Sequence, residues 1–288
     1  MKTVDDNTPG DVRGRTCLVT GASSGLGLCT VKRLAGRGAA VILVCRDAER
    51  GQRAVREVMD EVPGAALDLM MCNLASFNSI ATFVREFSAS HDRLDLLFNN
   101  AAIWKTAYTV TADGLETMFQ VNCLAPFLLM QSLMESLQRS PDGRIINIAA
   151  PNKNLRIDWE NTQNPGRFNP FRSFMQTKLW LAILSAEFSR RRSGSVSVFL
   201  TEPGPGKFRS HITREFPGVI RWAMDVFAKT ADRAAGTIEY LAAVEDADRG
   251  AGKVFFGKKS RPLPQGWTDR KTAERIWNAA TEILAGAA

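Results

Sequence analysis

Two hydrophobic patterns alternate along this chain. Short apolar runs, such as Cys17-Leu18-Val19 and residues 39–45, are typical of parallel strands buried on both faces. Between them, apolar residues recur every three or four positions, as in residues 77–87, which indicates amphipathic helices. Seven strands that alternate with helices predict one α/β domain, a Rossmann-like, doubly wound parallel sheet with helices on both faces.

The pattern also predicts where these elements begin and end. Strands are predicted at 17–19, 39–45, 65–72, 94–98, 144–149, 195–200 and 252–256. Helices are predicted after the glycine-rich stretch that follows the first strand and at 47–61, 77–87, 111–139, 171–192, 230–245 and 269–285. We expect Pro126 to bend the long helix, because proline removes a helical hydrogen bond. In the helix at 47–61, the apolar positions expected to face the core are Ala54, Val55, Val58 and Met59.

Three segments do not fit this alternation. Residues 1–11 form a flexible N-terminal tail in this interpretation, and residues 12–288 form the domain. Residues 150–170 are rich in proline and asparagine and are predicted to be a long loop. Residues 205–228 are rich in aromatic side chains and suggest a lid over a substrate, although plain packing or a partner surface would give the same composition.

The stretch Thr20–Gly27 lies between the first strand and the first helix. Glycines at such a turn let the backbone approach a pyrophosphate, which the helix N-terminus then stabilises. An ordinary turn between a strand and a helix is the alternative interpretation. The residues expected to hold the phosphates are Gly21, Ser23, Ser24, Gly25, Leu26 and Gly27.

The ends of the second and third strands indicate which dinucleotide binds. An acidic residue at the end of the second strand binds ribose hydroxyls, whereas an arginine accommodates a 2′-phosphate. Arg46 stands there and favours NADP(H), although an arginine exposed at a strand end needs no ligand. Asn73 and Leu74 end the third strand, and Asn73 is expected beside the adenine.

Composition excludes several classes of protein. The net charge of +7 comes from scattered residues, and the densest run, Arg190–Arg192, suits the last turn of a helix better than a nucleic acid. The five cysteines are isolated, which predicts a reducing compartment and no metal site. No apolar run reaches the ~18–20 residues that span a bilayer, and no signal peptide is visible. We therefore expect a cytoplasmic protein with a small-molecule substrate.

Taken in order, the motifs resemble the short-chain dehydrogenase/reductase superfamily, and most of all its retinol-dehydrogenase-like branch. The resemblance covers about residues 12–285. Its marks are TGASSGLG at 20–27, VCRDAERG at 44–51, CNLASFNSI at 72–80, FNNAA at 98–102, DGLETMFQVNCLAPF at 113–127, GRIINIAA at 143–150, FMQTK at 174–178 and EPGPG at 202–206. The resemblance implies that Asn100, Ala101, Pro203 and Gly204 also belong to the cofactor site.

The resemblance further implies a catalytic tetrad of Asn, Ser, Tyr and Lys. Asn122 and Lys178 match it, and Lys178 would also bind the nicotinamide ribose. The positions of the tyrosine and the serine hold Phe174 and Ala150, and Phe208 stands where a threonine is expected. Phenylalanine and alanine have no hydroxyl, and a missing general acid typically lowers a rate by about 10²–10⁴. Candidate substitutes on bordering segments are Tyr108, Asp158, Glu202 and His211.

These departures leave three hypotheses about function. The first is an atypical NADP(H)-dependent enzyme that transfers hydride to an activated acceptor on a small, largely apolar metabolite. An iminium ion or a conjugated double bond would need no tyrosine as proton donor. The second is a cyclase or isomerase that relies on orientation. The third is a non-catalytic NADP(H)-binding protein.

The resemblance also bears on assembly. It implies a homodimer that pairs the helices predicted at 111–139 and 171–192. Both contain more apolar residues than one buried face requires, for example Phe127, Leu128, Leu129 and Met130 in a row.

Overall fold

The computed structural model describes residues 11–148, 155–159, 163, 165–192, 196–202, 231–244 and 253–286. Several predictions concern other residues and lie outside this range. They are the tail apart from Asp11, the lid at 205–228, and the candidate residues Ala150, Pro203, Gly204, Phe208 and His211.

The fold is a single α/β domain around an eight-stranded sheet, which confirms the predicted class. Its strands are β1 (Thr16–Thr20), β2 (Ala40–Cys45), β3 (Leu67–Met71), β4 (Leu96–Asn99), β5 (Arg144–Ile148), β6 (Ser197–Thr201), β7 (Lys253–Phe256) and β8 (Lys259–Pro262). They lie in the order β3-β2-β1-β4-β5-β6-β7-β8, and every neighbouring pair is parallel except β7 and β8.

The sheet has one strand, β8, beyond the seven that the pattern predicted. β8 pairs antiparallel with β7, and all four of its residues, Lys-Ser-Arg-Pro, are exposed. An edge strand with polar side chains has no apolar pattern, so hydrophobic periodicity could not find it.

Helices cover both faces of the sheet. They are α1 (Gly25–Gly36), α2 (Ala48–Glu61), α3 (Phe77–Ser90), α4 (Thr117–Phe119), α5 (Ala125–Ser132), α6 (Met134–Gln138), α7 (Pro170–Arg191), α8 (Ala231–Ala243), α9 (Gln265–Thr268) and α10 (Arg270–Gly286), with a π-helical turn at Gln120–Leu124. In α2 the inward positions are as predicted except for Met59, which is 46% exposed. Met59 lies at the edge of the apolar stripe, where the helix faces solvent.

The helix predicted at 111–139 is instead four short elements. It starts only at Thr117, because the Glu116 carboxylate accepts from the backbone N–H groups of Met118 and Phe119 at 2.9 and 2.7 Å. A π-helical turn then separates α4 from α5, and Pro126 occupies the first turn of α5, where its missing N–H is tolerated. Pro126 thus begins a helix instead of interrupting one, and the predicted bend stays a prediction.

The C-terminal helix α10 covers the outer side of α5 and α7. Trp277 packs edge-on against Phe127, with ring centroids 4.9 Å apart, and lies 6.1 Å from Phe188. The Arg191 guanidinium stands 4.3 Å over the same indole ring. The surplus of apolar residues on these helices is thus packed within the chain, so it no longer supports the homodimer, which stays a prediction. Among the described residues, no helix is long and apolar enough to cross a membrane.

Candidate cofactor and substrate cleft

A cleft of about 540 Å³ opens at the carboxyl ends of the parallel strands. It lies beside β1 and β4, where the strand order reverses and where open α/β sheets bind their ligands. The predicted residues that line it are Gly21, Ser23, Ser24, Leu26, Arg46, Asn73, Leu74, Asn100, Ala101, Phe174 and Lys178. Gly25 and Gly27 lie in the adjoining first turn of α1, and Asn122 is buried behind the wall of the cleft.

The glycine loop is shaped by close backbone contacts. Gly21 has a φ of 64°, a left-handed conformation that favours glycine. A Cβ at Gly27 would lie 2.4 Å from the Gly21 carbonyl oxygen, so no side chain fits there. The Asn100 Nδ2 group donates to the carbonyl oxygens of Thr20 and Gly21 at 2.8 and 3.2 Å. Asn100 therefore holds the loop in shape from the neighbouring strand.

The N-terminus of α1 differs from those of the other long helices nearby. At α2, α3 and α7 the side chains of Asp47, Ser76 and Asn169 accept a hydrogen bond from the first turn. Ser24 makes no such side-chain cap at α1, although it stands at the capping position. The first turn of α1 therefore has no side-chain cap, and it borders the cleft at Ser24 and Leu26, as an anion site requires.

Two arginines lie between β2 and the first turn of α2. Arg46 directly follows β2, Arg50 lies in the first turn of α2, and both line the cleft. Asp47 lies between them, but its carboxylate accepts from the Arg50 backbone N–H at 2.9 Å and so caps α2. Sequence reasoning missed Arg50, although its position four residues after Arg46, at the start of a predicted helix, could have indicated it.

Asn122 occupies the π-helical turn and is fully buried. Its Oδ1 atom accepts from the Ile103 N–H at 2.7 Å, and its Nδ2 group donates to the Ile103 carbonyl at 2.9 Å. This reciprocal pair fastens the segment that follows β4, which forms one wall of the cleft. Asn122 therefore positions this wall of the cleft.

Lys178 is reached only from the cleft, since just 3% of its surface is exposed. Its Nζ donates to the Ile148 carbonyl at 3.3 Å and lies 5.8 Å from the ring centre of Phe174, one turn earlier on α7. Burial lowers the pKa of this ammonium to about 8, because the low-dielectric surroundings disfavour its charge. The thiol of Cys123 faces it from the π-helical turn, and burial raises the pKa of that thiol.

Aromatic side chains form a row along the same end of the cleft. The Phe174 ring lies 5.2 Å from Trp104, which in turn lies 6.4 Å from Phe171. Phe171 is 66% exposed, so the row runs from the interior to solvent. The remaining lining residues at this end are Ile103, Lys105, Thr117, Val121 and Ile148.

The substitute acids that the sequence suggested are engaged elsewhere or lie outside the described range. The Tyr108 hydroxyl donates to the Gln163 carbonyl at 3.2 Å. Asp158 pairs with Arg172 at 2.7 Å, and Glu202 pairs with Arg261 at 2.6 Å. These three residues are not part of the cleft lining that the structure describes.

Four of the five cysteines are core residues. None of the five forms a disulfide; Cys17, Cys45, Cys72 and Cys123 are buried, and Cys29 is half-buried. Burial raises the pKa of Cys17 and Cys72 to about 12 and that of Cys45 to about 11, so these thiols stay protonated. In the described parts of the chain, no group of His, Cys, Asp or Glu has the arrangement of a metal site.

Comparison with known proteins agrees with this geometry. The profile of the short chain dehydrogenase family matches residues 15–159. Retinol dehydrogenase 11 of Mus musculus is 32% identical over 275 residues, which cover 94% of this chain and 86% of that protein. A crystal structure of an uncharacterized protein from Mycobacterium paratuberculosis has a TM-score of 0.73 at 24% identity, with 96% of each chain covered. A metagenomic short-chain oxidoreductase in complex with NADP has a TM-score of 0.59 at 25% identity, covering 82% of this chain and 94% of the other.

Proposed function

Since this chain belongs to the short-chain dehydrogenase/reductase family, we propose that it is an atypical NADP(H)-dependent member that reduces an activated double bond of a small, largely apolar molecule. The observation that carries this proposal is the composition of the cleft beside Phe174. There, the described lining is apolar and aromatic except for Thr117, Lys105 and Lys178. A phenylalanine side chain has no proton to give.

The residues at the other end of the cleft fit NADP(H). The uncapped first turn of α1 and the tight glycine loop suit a pyrophosphate. Arg46 and Arg50 both line the cleft and would pair with a 2′-phosphate, because a guanidinium forms strong charge-assisted hydrogen bonds with phosphate oxygens. When bound, NADPH supplies the hydride. A structure of a related short-chain oxidoreductase was determined in complex with NADP, which supports the same choice here.

The charges in the cleft favour one of the two predicted acceptors. An iminium ion is positive from the start and would meet two lysines, Lys105 and Lys178. The only carboxylate in the described lining, Asp47, caps α2 next to Arg46 and Arg50. Addition of hydride to a conjugated double bond instead creates a negative enolate, which nearby ammonium groups stabilise. We therefore propose a conjugated carbonyl compound as the class of substrate.

Simple carbonyl compounds fit less well. Hydride addition to an isolated carbonyl places the full negative charge on one oxygen, so a proton must be delivered there as the bond forms. Phe174 occupies the position where the resemblance places the tyrosine that does this. An enolate spreads its charge over oxygen and carbon, so its proton can arrive afterwards. The cytoplasmic location, the lid at 205–228 and the homodimer remain proposals beside this one.

The test uses 4-phenylbut-3-en-2-one, an apolar conjugated ketone. We expect the protein to oxidise one NADPH for each molecule of 4-phenylbutan-2-one formed, measured by absorbance at the nicotinamide band and by gas chromatography. A rearranged or cyclised product without loss of NADPH absorbance would favour the cyclase or isomerase hypothesis. NADPH binding without conversion of this or other conjugated ketones would favour the non-catalytic one.

A further inference from the structure

The cleft contains an ionisable group that the proposed function has not yet used. We propose that Lys178 is the proton donor of the reaction and that its Nζ delivers the proton to the α-carbon of the reduced substrate. This inference rests on the proposed conjugate reduction.

The position of Lys178 on α7 is the first step of the argument. Phe174 and Lys178 are four residues apart, so both side chains lie on the same face of this helix, and both line the cleft. The lysine Nζ is 5.8 Å from the centre of the phenylalanine ring. An ammonium has three N–H donors, and the Ile148 carbonyl accepts one of them at 3.3 Å. That contact orients the group and leaves it able to donate into the cleft.

The surroundings of the lysine are the second step. The π-helical turn brings the buried Cys123 thiol, whose raised pKa keeps it neutral, and β5 brings the Ile148 carbonyl. The wall after β4 adds the cation of Lys105, and the rest of α7 adds Phe174. No carboxylate from the described residues lines this end to hold Lys178 permanently charged. With a pKa of about 8, the group both holds and releases a proton near neutrality.

Neighbouring polar groups are less suited to this role. Both ends of the Asn122 amide are engaged by Ile103. The Thr117 hydroxyl donates to the Thr109 carbonyl at 2.8 Å, and its proton is not acidic near neutral pH. Lys105 lines the cleft too, but it is half-buried rather than enclosed. Lys178 is thus the most enclosed proton carrier in the described lining.

The proposed reduction balances in atoms and in electrons. Hydride adds to the β-carbon of the conjugated ketone, and the two electrons of the double bond move toward the carbonyl to give an enolate. A new C–H bond then forms at the α-carbon as an Nζ–H bond breaks. The neutral amine regains its proton from water through the open cleft. The substrate is reduced by two electrons, and the bound dinucleotide is oxidised by two.

Two pH profiles test this assignment, one of reduction and one of proton exchange. Reduction of 4-phenylbut-3-en-2-one requires the ammonium, so kcat should fall as the pH rises above about 8. The reverse proton transfer requires the amine. In D₂O with NADP⁺ present, the protein should exchange the C3 protons of 4-phenylbutan-2-one increasingly above that pH, measured by proton NMR. Exchange needs no hydride, so it reports on Lys178 independently of reduction.

The test variant is Lys178→Arg, with Lys178→Met as a second variant if arginine does not fit. Arginine keeps the positive charge but does not release a proton in this pH range. We expect about a hundredfold loss of both kcat and exchange. Both are measured at saturating dinucleotide, because Lys178 is also the predicted contact of the nicotinamide ribose. The matched control is Lys32→Arg on α1, where the ion pair with Glu57 at 2.7 Å tolerates either residue.

Each outcome decides the matter. The assignment would be overturned if Lys178→Arg still reduced the conjugated ketone and its kcat still fell at alkaline pH. It would also be overturned if the wild type reduced this ketone but showed no proton exchange that depends on Lys178. If the wild type exchanges protons through Lys178 but never oxidises NADPH, the assignment holds and the proposed reduction fails. If it does neither, both fail.

Discussion

The two ends of the cleft differ in the chemical groups that line them. At one end, backbone groups and cations dominate: the loop at Gly21, the uncapped turn after Ser24, and the pair Arg46 and Arg50. At the other end, the row of Phe174, Trp104 and Phe171 leads to a single buried ammonium. Binding of a dinucleotide depends on many weak contacts, whereas proton transfer depends on one atom in one place. We call the end at Gly21 and Arg46 the binding end and the end at Phe174 and Lys178 the reacting end. A chain can therefore change its chemistry at the reacting end while its binding end stays the same.

The comparison is tested most strongly by offering the protein two substrates that differ only in one double bond. We expect 4-phenylbutan-2-one, the saturated ketone, to be reduced with a kcat/KM lower by about 10²–10⁴ than 4-phenylbut-3-en-2-one, because its alkoxide needs a proton delivered at once. NADPH absorbance with both ketones gives the ratio. Equal turnover would mean that another residue, outside the groups described above, acts as the acid.

A second prediction concerns how much the buried charge of Lys178 lowers the free energy of unfolding. Below pH 8 the Lys178 ammonium stays charged although it is buried. Between pH 8 and the ordinary value of 10.5 the folded protein has released this proton while the unfolded chain still holds it, so stability rises with pH. At pH 7, Lys178→Met should raise the free energy of unfolding by about 3 kcal/mol, less what the lost bond to Ile148 contributed.

Urea unfolding at pH 7 and pH 10.5 measures this difference. The advantage of Lys178→Met over the wild type should largely disappear at the higher pH. Lys271→Met, which replaces an exposed lysine on α10, serves as the control and should show no such change. A variant that is less stable than the wild type at pH 7 would contradict a lowered pKa.

The sequence predicted the binding end better than the reacting end. The glycine loop, Arg46 and Asn73 follow directly after strands, so the alternation of strands and helices is enough to bring them together. The loop from Ile103 to Lys105 is different, because its place depends on Asn122 in a π-helical turn, and hydrophobic periodicity does not distinguish that turn from an α-helix. The aromatic row similarly joins the segment after β4 to α7, a tertiary contact with no local pattern.

The binding end makes its own prediction. Arg46→Ala should lower the preference for NADPH over NADH by about 10–150-fold, since a hydrogen bond to a charged group contributes about 1.5–3 kcal/mol. Titration calorimetry with both dinucleotides measures the ratio. Arg53→Ala is the matched control, because Arg53 is exposed on α2, the helix that follows Arg46, and is not part of the cleft lining. Equal affinity of the wild type for both dinucleotides, or affinity for neither, would contradict the choice of NADP(H).

The last prediction asks whether the reacting end is a damaged version of the usual one or a rebuilt one. If it is only damaged, Phe174→Tyr together with Ala150→Ser should restore reduction of the saturated ketone, since Asn122 and Lys178 are in place. Two further departures in the sequence argue against this: Phe208 stands where the resemblance places a threonine, and Pro151 follows Ala150. The Phe174 ring also packs against Trp104, with ring centroids 5.2 Å apart, so the side chain at position 174 lies against an apolar surface.

We therefore expect the double variant to bind NADPH normally and to gain little activity toward the saturated ketone. Its free energy of unfolding should fall by about 1–3 kcal/mol if the new hydroxyl at position 174 finds no partner. Single variants measured beside it separate the two contributions, and calorimetry with NADPH shows whether the fold is intact. Turnover of the saturated ketone that rises to the level of the conjugated one would show that two hydroxyls were all that the site lacked. In that case the two ends of the cleft would differ by recent loss, and the argument for a rebuilt reacting end would fail.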